Sequence, residues 1–233
     1  MSFRPRQQRG SFAWAPERYG QSRLGAPLEV FRPRGPCAVL LFAGIHGDEG
    51  ETTAMLSWAL RHLPGPSPRC AVVLAANPDG LARGTRANAA GVDLNRTFPA
   101  RNWRPEPLAY RVLSDEPRDV AISPGAAAGS EPEVQALVRL IGELRPSTAV
   151  VAVHAPLACV EDPDRTALGS WLAERSQLPL VADIGYATPG SFGSWAPENG
   201  CHEITYELPV AAAEQMLRSY SPVFAELLRR EDL

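Results

Sequence analysis

Lysine is absent: all 23 basic residues of this 233-residue chain are arginine. No lysine is therefore available to form a Schiff base or to act as a general base. An excess of positive charge is lacking too, since the formal net charge is -3. That argues against nucleic acid as a partner, which calls for a basic face. No apolar run approaches the roughly 20 residues that cross a bilayer as a helix, so no membrane span is expected. Cysteine is scarce, with four residues far apart and no C-x-x-C pair, which excludes a disulfide framework or a zinc ribbon. Cys37 and Cys70 open apolar runs and read as small buried thiols. Residues 1–10 carry Arg4, Arg6 and Arg9 with no apolar segment behind them, unlike a secretory signal, and are expected to be disordered. A cytoplasmic bacterial protein is expected.

What is present fits one α/β domain over residues 1–233, long enough to bury a sizeable core. Apolar, β-branched runs at 37–43, 70–76, 148–154, 179–184 and 203–208 read as strands, with another at 27–32. Most are separated by helical patterns or long connections, which predicts a mixed, mostly parallel sheet covered by helices on both faces. Helices are expected at 51–63, 130–144, 165–177 and 211–230. The second opens on Ser130-Glu131-Pro132-Glu133, a capping-box arrangement, and Pro222 should kink the last or start a new helix. Residues 102–129, rich in proline, glycine and alanine, read as a long loop.

The residues suited to chemistry gather where strands end. His46 and Glu49 follow the run at 37–43 and can offer a nitrogen and an oxygen to one metal, although the commoner source of such a pair is an exposed turn with a polar cap. His154 ends another strand, where ligands of α/β sheets collect, but a lone histidine there is more often a satisfied edge residue. His62 and His202 are assigned no role. Downstream of Asn77-Pro78-Asp79-Gly80 lies the stretch from Arg83 to Pro99, with Arg86, Asn88 and then Gly91-Val92-Asp93-Leu94-Asn95-Arg96.

With that stretch the chain resembles the zinc carboxypeptidase family. The ordered elements are H-x-x-E, N-P-D-G, R-x-N-x-x-G-V-D-L-N-R, a strand-ending histidine and Tyr206-Glu207-Leu208, and the segment around Tyr186 looks like the family's mobile tyrosine loop. The likeness runs from about Tyr19 to the C-terminus. It implies His46, Glu49 and His154 as ligands of one Zn2+ per chain, with two neutral imidazoles and one carboxylate leaving a site positive enough to acidify water. It implies Glu207 as the general base, Arg86 as the cation steadying an oxyanion, Asn95 and Arg96 as the grip on a terminal carboxylate, and Tyr186 as the hydroxyl that closes over the bound residue. Asp93 would accept a hydrogen bond from a ligand histidine. Arg83 stays open as an alternative to Arg86.

Short relatives with the opening Tyr19-Gly20-Gln21-Ser22-Arg23-Leu24-Gly25-Ala26-Pro27 cut the γ-D-glutamyl–meso-diaminopimelate bond of cell-wall peptides during recycling. The resemblance thus implies a small murein tripeptide as substrate, and it leaves the oligomeric state open, a homodimer included. Diaminopimelate carries a second ammonium and carboxylate, for which Ser191, Ser194, Glu198, Asn199 and Glu203 are the polar candidates, with Phe192 near the pocket floor. Two features depart from the digestive members: Asp48 where they carry arginine, and Thr97 after Asn95-Arg96 in place of a common asparagine. The aspartoacylase and succinylglutamate desuccinylase branch, zinc deacylases of N-acyl amino acids, is the alternative enzyme reading. A metal-free pseudoenzyme that binds peptidoglycan fragments is the non-enzymatic one.

Overall fold

Valine, leucine, alanine and phenylalanine alternate their side chains across a strand, and here both faces of the resulting sheet are dry. The structure is a computed structural model that describes residues 11–112 and 118–233; the expectation for 1–10 lies outside the described residues. A hairpin of β1 (Glu17–Gln21) and β2 (Pro27–Val30) opens it, followed by β3 (Val39–Ala43), α1 (Gly50–Leu60), β4 (Cys70–Val73) and the short α2 (Pro78–Leu81). A 3-10 turn at Leu94–Arg96 leads to a second hairpin, β5 (Leu108–Val112) and β6 (Arg118–Ile122). Then come α3 (Pro132–Leu144), β7 (Ala149–His154), β8 (Leu157–Glu161), α4 (Ala167–Ser176), β9 (Leu180–Val181) and α5 (Phe192–Glu198). The last elements are β10 (Glu203–Pro209), α6 (Ala213–Ser219) and α7 (Ser221–Leu227).

The central sheet has the order β4-β3-β7-β10-β8-β9. Every neighbouring pair is parallel except β10 with β8. On one face Val39, Leu41, Val151, Val153, Ile204, Tyr206 and Leu208 pack with residues of α1, α4, α6 and α7. On the other, Leu40, Phe42, Val150 and Ala152 meet α3, α5 and the aromatic group Phe98, Phe192 and Trp195. The expected α/β architecture, a mixed and mostly parallel sheet with helices on both sides, is what forms.

The differences have local causes. Residues 102–129 are not an unbroken loop, because Leu108–Val112 pairs with Arg118–Ile122. Alanine, proline and charged residues there mask the alternation that marks a strand. Strand β8 was also not expected: its burial is partial, so it lacks the solid apolar run of its neighbours. The capping box at 130–133 does not form. Glu131 is the N-cap residue and makes no capping bond, while the Glu133 carboxylate accepts instead from the Arg23 N–H at 2.8 Å. Pro222 sits in the first turn of α7 and separates it from α6, the second of the two outcomes foreseen for it.

The N-terminal hairpin is held down by acids of later segments. Asp79, only 4% exposed, accepts from the Ser22 hydroxyl at 2.9 Å and from the Leu24 N–H at 3.0 Å. Asp79→Ala should therefore lower stability by about 2 kcal/mol, since buried donors lose their acceptor. Urea unfolding of the variant checks this, and a midpoint equal to the wild type's would show that the clasp contributes nothing.

Candidate metal centre and active site

Strands β3, β7 and β10 run in one direction, so their carboxyl ends meet at one edge of the sheet. His154 is the last residue of β7, and Glu207 on β10 lies directly opposite it in the ladder. His46 follows β3 in a loop whose path is set by backbone contact. A Cβ added to Gly47 would lie 2.0 Å from the Gly80 carbonyl carbon, so the His46-Gly47 and Asp79-Gly80 segments press together as only glycine allows. Asn77 Nδ2 donates to the Ile45 carbonyl at 3.2 Å and the Gly47 N–H donates to the Arg86 carbonyl at 3.3 Å, joining three of the sequence motifs in one knot. Glu49 occupies the N-cap position of α1 yet makes no capping bond. Its carboxylate is turned to the histidines instead.

That carboxylate is the hub. Glu49 Oε1 lies 2.7 Å from His46 Nδ1, and Oε2 lies 3.1 Å from His154 Nδ1. All three side chains are buried, and one potential ligand atom from each falls within 4.8 Å of the others. Two imidazole nitrogens and a carboxylate oxygen form the donor set of a catalytic zinc, with a fourth position left for water or substrate. The remaining nitrogen of His46, Nε2, is buried 3.2 Å from Asp93 Oδ1 but poorly aligned for a hydrogen bond. The Asp93 charge beside Nε2 favours a proton on that nitrogen, which leaves Nδ1 for a metal. Taken together, the residues fit such an ion.

The electrostatics follow from this packing. Burial alone would lower the His46 pKa, but Glu49 and Asp93 outweigh burial and the opposing Arg86, and the group rests at about 9. Burial would raise the Glu49 and Asp93 carboxyls; His46 acting on both, with His154 on Glu49 and Arg86 on Asp93, holds them below the usual range instead. Glu207 goes the other way. Desolvation raises its pKa, reinforced by Glu49 and only partly offset by His154 and the Leu157 N–H.

Around the cluster, Arg86 donates from Nε to Asp93 at 2.8 Å and lies 3.8 Å from Glu49. Its guanidinium is roofed by the Tyr110 ring at 4.3 Å, a stacking partner from β5 that nothing in the sequence pattern singled out. Arg83, by contrast, is exposed and donates to the Asp79 carbonyl. Asn95 and Arg96 sit in the turn after Asp93; Asn95 Oδ1 accepts from the Phe192 N–H at 2.8 Å. Arg96 is part-buried, donates to the Asn95 carbonyl at 2.6 Å and has no carboxylate partner among the described residues. Desolvation lowers its pKa, as for a cation awaiting an anion. Tyr186 is 55% exposed at the rim, within the field of Glu207 and Arg96. Of the pocket candidates, Glu198 and Asn199 lie exposed at the far end of α5, and the Phe192 ring is spent in the core against Phe42 and Phe98. Ser191 is the buried N-cap of α5, bonded to Ser194. Asp48 is exposed, and Thr97 is buried with its hydroxyl 3.3 Å from the Ala127 carbonyl.

Residues 16–156 match the family model described as zinc carboxypeptidase. Murein peptide amidase A of Escherichia coli (strain K12) is 49% identical over 97% of this chain and 94% of its own length. The protein of the same name from Vibrio campbellii is 44% identical over 99% and 94%. The crystal structure of murein-tripeptide amidase from Escherichia coli O157 superposes with a TM-score of 0.89 at 46% identity, covering 99% of this chain and 98% of that one. Thrombin-activatable fibrinolysis inhibitor, 17% identical, shares the fold over 92% of this chain with a TM-score of 0.70.

Two measurements follow for the metal-free protein. A protonated His46 bridges Glu49 and Asp93 only in the fold, so its folded pKa exceeds the unfolded one. That stabilisation is complete below pH 6.5 and gone above about pH 9. The unfolding free energy of chelated protein, read from urea curves, should therefore fall across this window by about 3 kcal/mol, and a flat profile would contradict the assignment. Zinc uptake at pH 7 should also expel about one proton per chain from His46, seen by calorimetry in buffers of different ionisation enthalpy.

Proposed function

The chain belongs to the zinc carboxypeptidase family, and from that premise we propose that it hydrolyses the γ-D-glutamyl–meso-diaminopimelate bond of murein peptides, in cell-wall recycling in the bacterial cytoplasm. The observation that carries the reading is the buried convergence of His46, Glu49 and His154, with Glu207 facing His154 across the β7–β10 ladder. Zinc held by those three groups supplies a Lewis acid that acidifies water and polarises the amide carbonyl. Glu207 takes the proton of the attacking water and returns it to the departing amine; desolvation, which raises its pKa, eases its turn as the proton donor. Arg86, held still by Asp93 and Tyr110, faces the oxyanion that develops on the former carbonyl. Its position beside Glu49, set against the exposed Arg83, favours Arg86 for this role.

Asn95 and Arg96 grip the free carboxylate of the departing residue, an anion that Arg96 lacks among the described residues. Tyr186 at the rim closes over that residue and excludes water. The substrate assignment rests on the relatives named for murein peptides, which match along nearly their whole length. The alternative of an N-acyl amino acid deacylase has no comparable support. Incubation of the zinc-loaded protein with L-Ala-γ-D-Glu-meso-diaminopimelate should release free diaminopimelate; turnover of ordinary C-terminal aliphatic peptides alone would refute the assignment.

Glu207→Gln should retain one zinc per chain while losing about 10^3-fold or more in kcat, measured by metal analysis alongside tripeptide turnover; a substantial residual rate removes Glu207 from the base position. Arg96→Ala should raise KM about 100-fold for substrates with a free terminal carboxylate, and should leave C-terminally amidated analogues at their already poor level. Wild-type enzyme that treats free and amidated peptides alike would show that no clamp exists.

A further inference from the structure

Below the catalytic edge, the same face of β10 continues inward with an acid that the chemistry leaves unused. Glu203, Thr205 and Glu207 point one way from the strand, while Ile204, Tyr206 and Leu208 fill the opposite core. In the ladder they stand opposite Val150, Ala152 and His154, so Glu203 lies four rungs beneath the catalytic row. Four residues of strand place its Cα roughly 13 Å from that of Glu207. Whatever reaches Glu203 is the far end of an extended side chain, not the backbone of the departing residue.

Glu203 is 6% exposed, and no arginine or histidine pairs with it among the described residues. Among the described residues, its hydrogen bond comes from the Thr205 hydroxyl to Oε1. The other oxygen, Oε2, faces Gly193 of α5: a Cβ added there would sit 3.5 Å from Oε2 and 3.8 Å from Ser191 Oγ. The absent side chain leaves the carboxylate open toward the helix that walls the substrate side. Glu161 stands opposite Thr205 on β8, so a second acid faces the same region, and it accepts from the Ile184 N–H at the start of the tyrosine loop. A buried carboxylate with no cation is costly unless it is neutral or a ligand brings the countercharge. Burial, reinforced by Glu161 and Asp162 against the Thr205 bond, pushes Glu203 up to about 8, so the empty site holds it largely uncharged.

We infer that Glu203 is the specificity-determining residue at the base of the pocket for the departing residue, where it receives a primary ammonium carried at the far end of that residue's side chain. The inference rests on the hydrolase reading above and deepens it: of the polar candidates in the sequence, Glu203 is the buried, cation-free acid in line with the catalytic row. Diaminopimelate has such an ammonium; its analogue 2-aminopimelate has hydrogen in its place.

The test compares γ-D-glutamyl peptides ending in meso-diaminopimelate or in L-2-aminopimelate. Wild-type enzyme should favour the former by about 10- to 100-fold in kcat/KM, and Glu203→Gln should erase that preference while leaving the aminopimelate substrate nearly unchanged. A preserved ratio in Glu203→Gln, or an equal fall on both substrates, overturns the inference. Should Glu203→Gln fail to fold, Gly193→Val serves in its place: it occupies the space over Oε2 and should abolish cleavage of the diaminopimelate peptide while sparing one that ends in alanine. Wild-type-like cleavage of the diaminopimelate peptide by Gly193→Val likewise overturns the inference. Wild-type enzyme that cleaves neither long substrate refutes the murein reading itself, and this inference with it.

Discussion

One carboxylate shared between two imidazoles organises this molecule. Glu49 touches both His46 and His154 while nearly withdrawn from water, an arrangement untenable for an isolated anion. It persists because each partner is itself fixed: His154 by the β7 ladder, His46 by a loop pinned to Gly80 and by Asp93 behind it. Removing any one member would leave a buried charge without compensation, which costs far more than the pair contributes when complete. The cluster is thus less a source of stability than a demand upon it, met by the dry sheet on either side.

The sequence motifs become intelligible as parts of one knot rather than as separate signatures. Asn77 Nδ2 donates to the carbonyl of Ile45, just before His46, and to that of Arg86, and Gly47 and Gly80 allow the two loops to touch through main chain alone. Asp93 joins His46 to Arg86, and the turn it caps presents Asn95 and Arg96. The His46–Glu49–His154 cluster, Arg86, Asn95 and Arg96 therefore share supports, so their relative positions depend on a few hydrogen bonds as well as on the whole fold.

Much of this was legible beforehand because the informative patterns are local. Runs such as 148–154 announce buried parallel strands, and an ordered series of motifs marks the metal edge of the sheet. What escaped was non-local or weakly patterned. Strand β8 is half-buried, and its antiparallel pairing with β10 has no local signature. The β5–β6 hairpin lies in a proline-rich stretch that reads as loop, and with it went Tyr110. Arg83 and Arg86 are equivalent by spacing, and only the turn at Gly80 turns one outward and the other toward Asp93. Nor does a capping-box pattern reveal that Glu133 is already engaged by Arg23 and Asn88 from distant segments.

The tyrosine over Arg86 has a consequence for the direction from which that cation can be approached. A guanidinium bonded along its Nε edge and covered on one face by an aromatic ring has little freedom left, and its remaining N–H groups point in a single direction. An amide can present its oxygen there from one side only. The approach to this cation is therefore shaped in part by a ring from the β5–β6 hairpin, a segment remote in sequence that stands over Arg86 beside the Glu49 cluster.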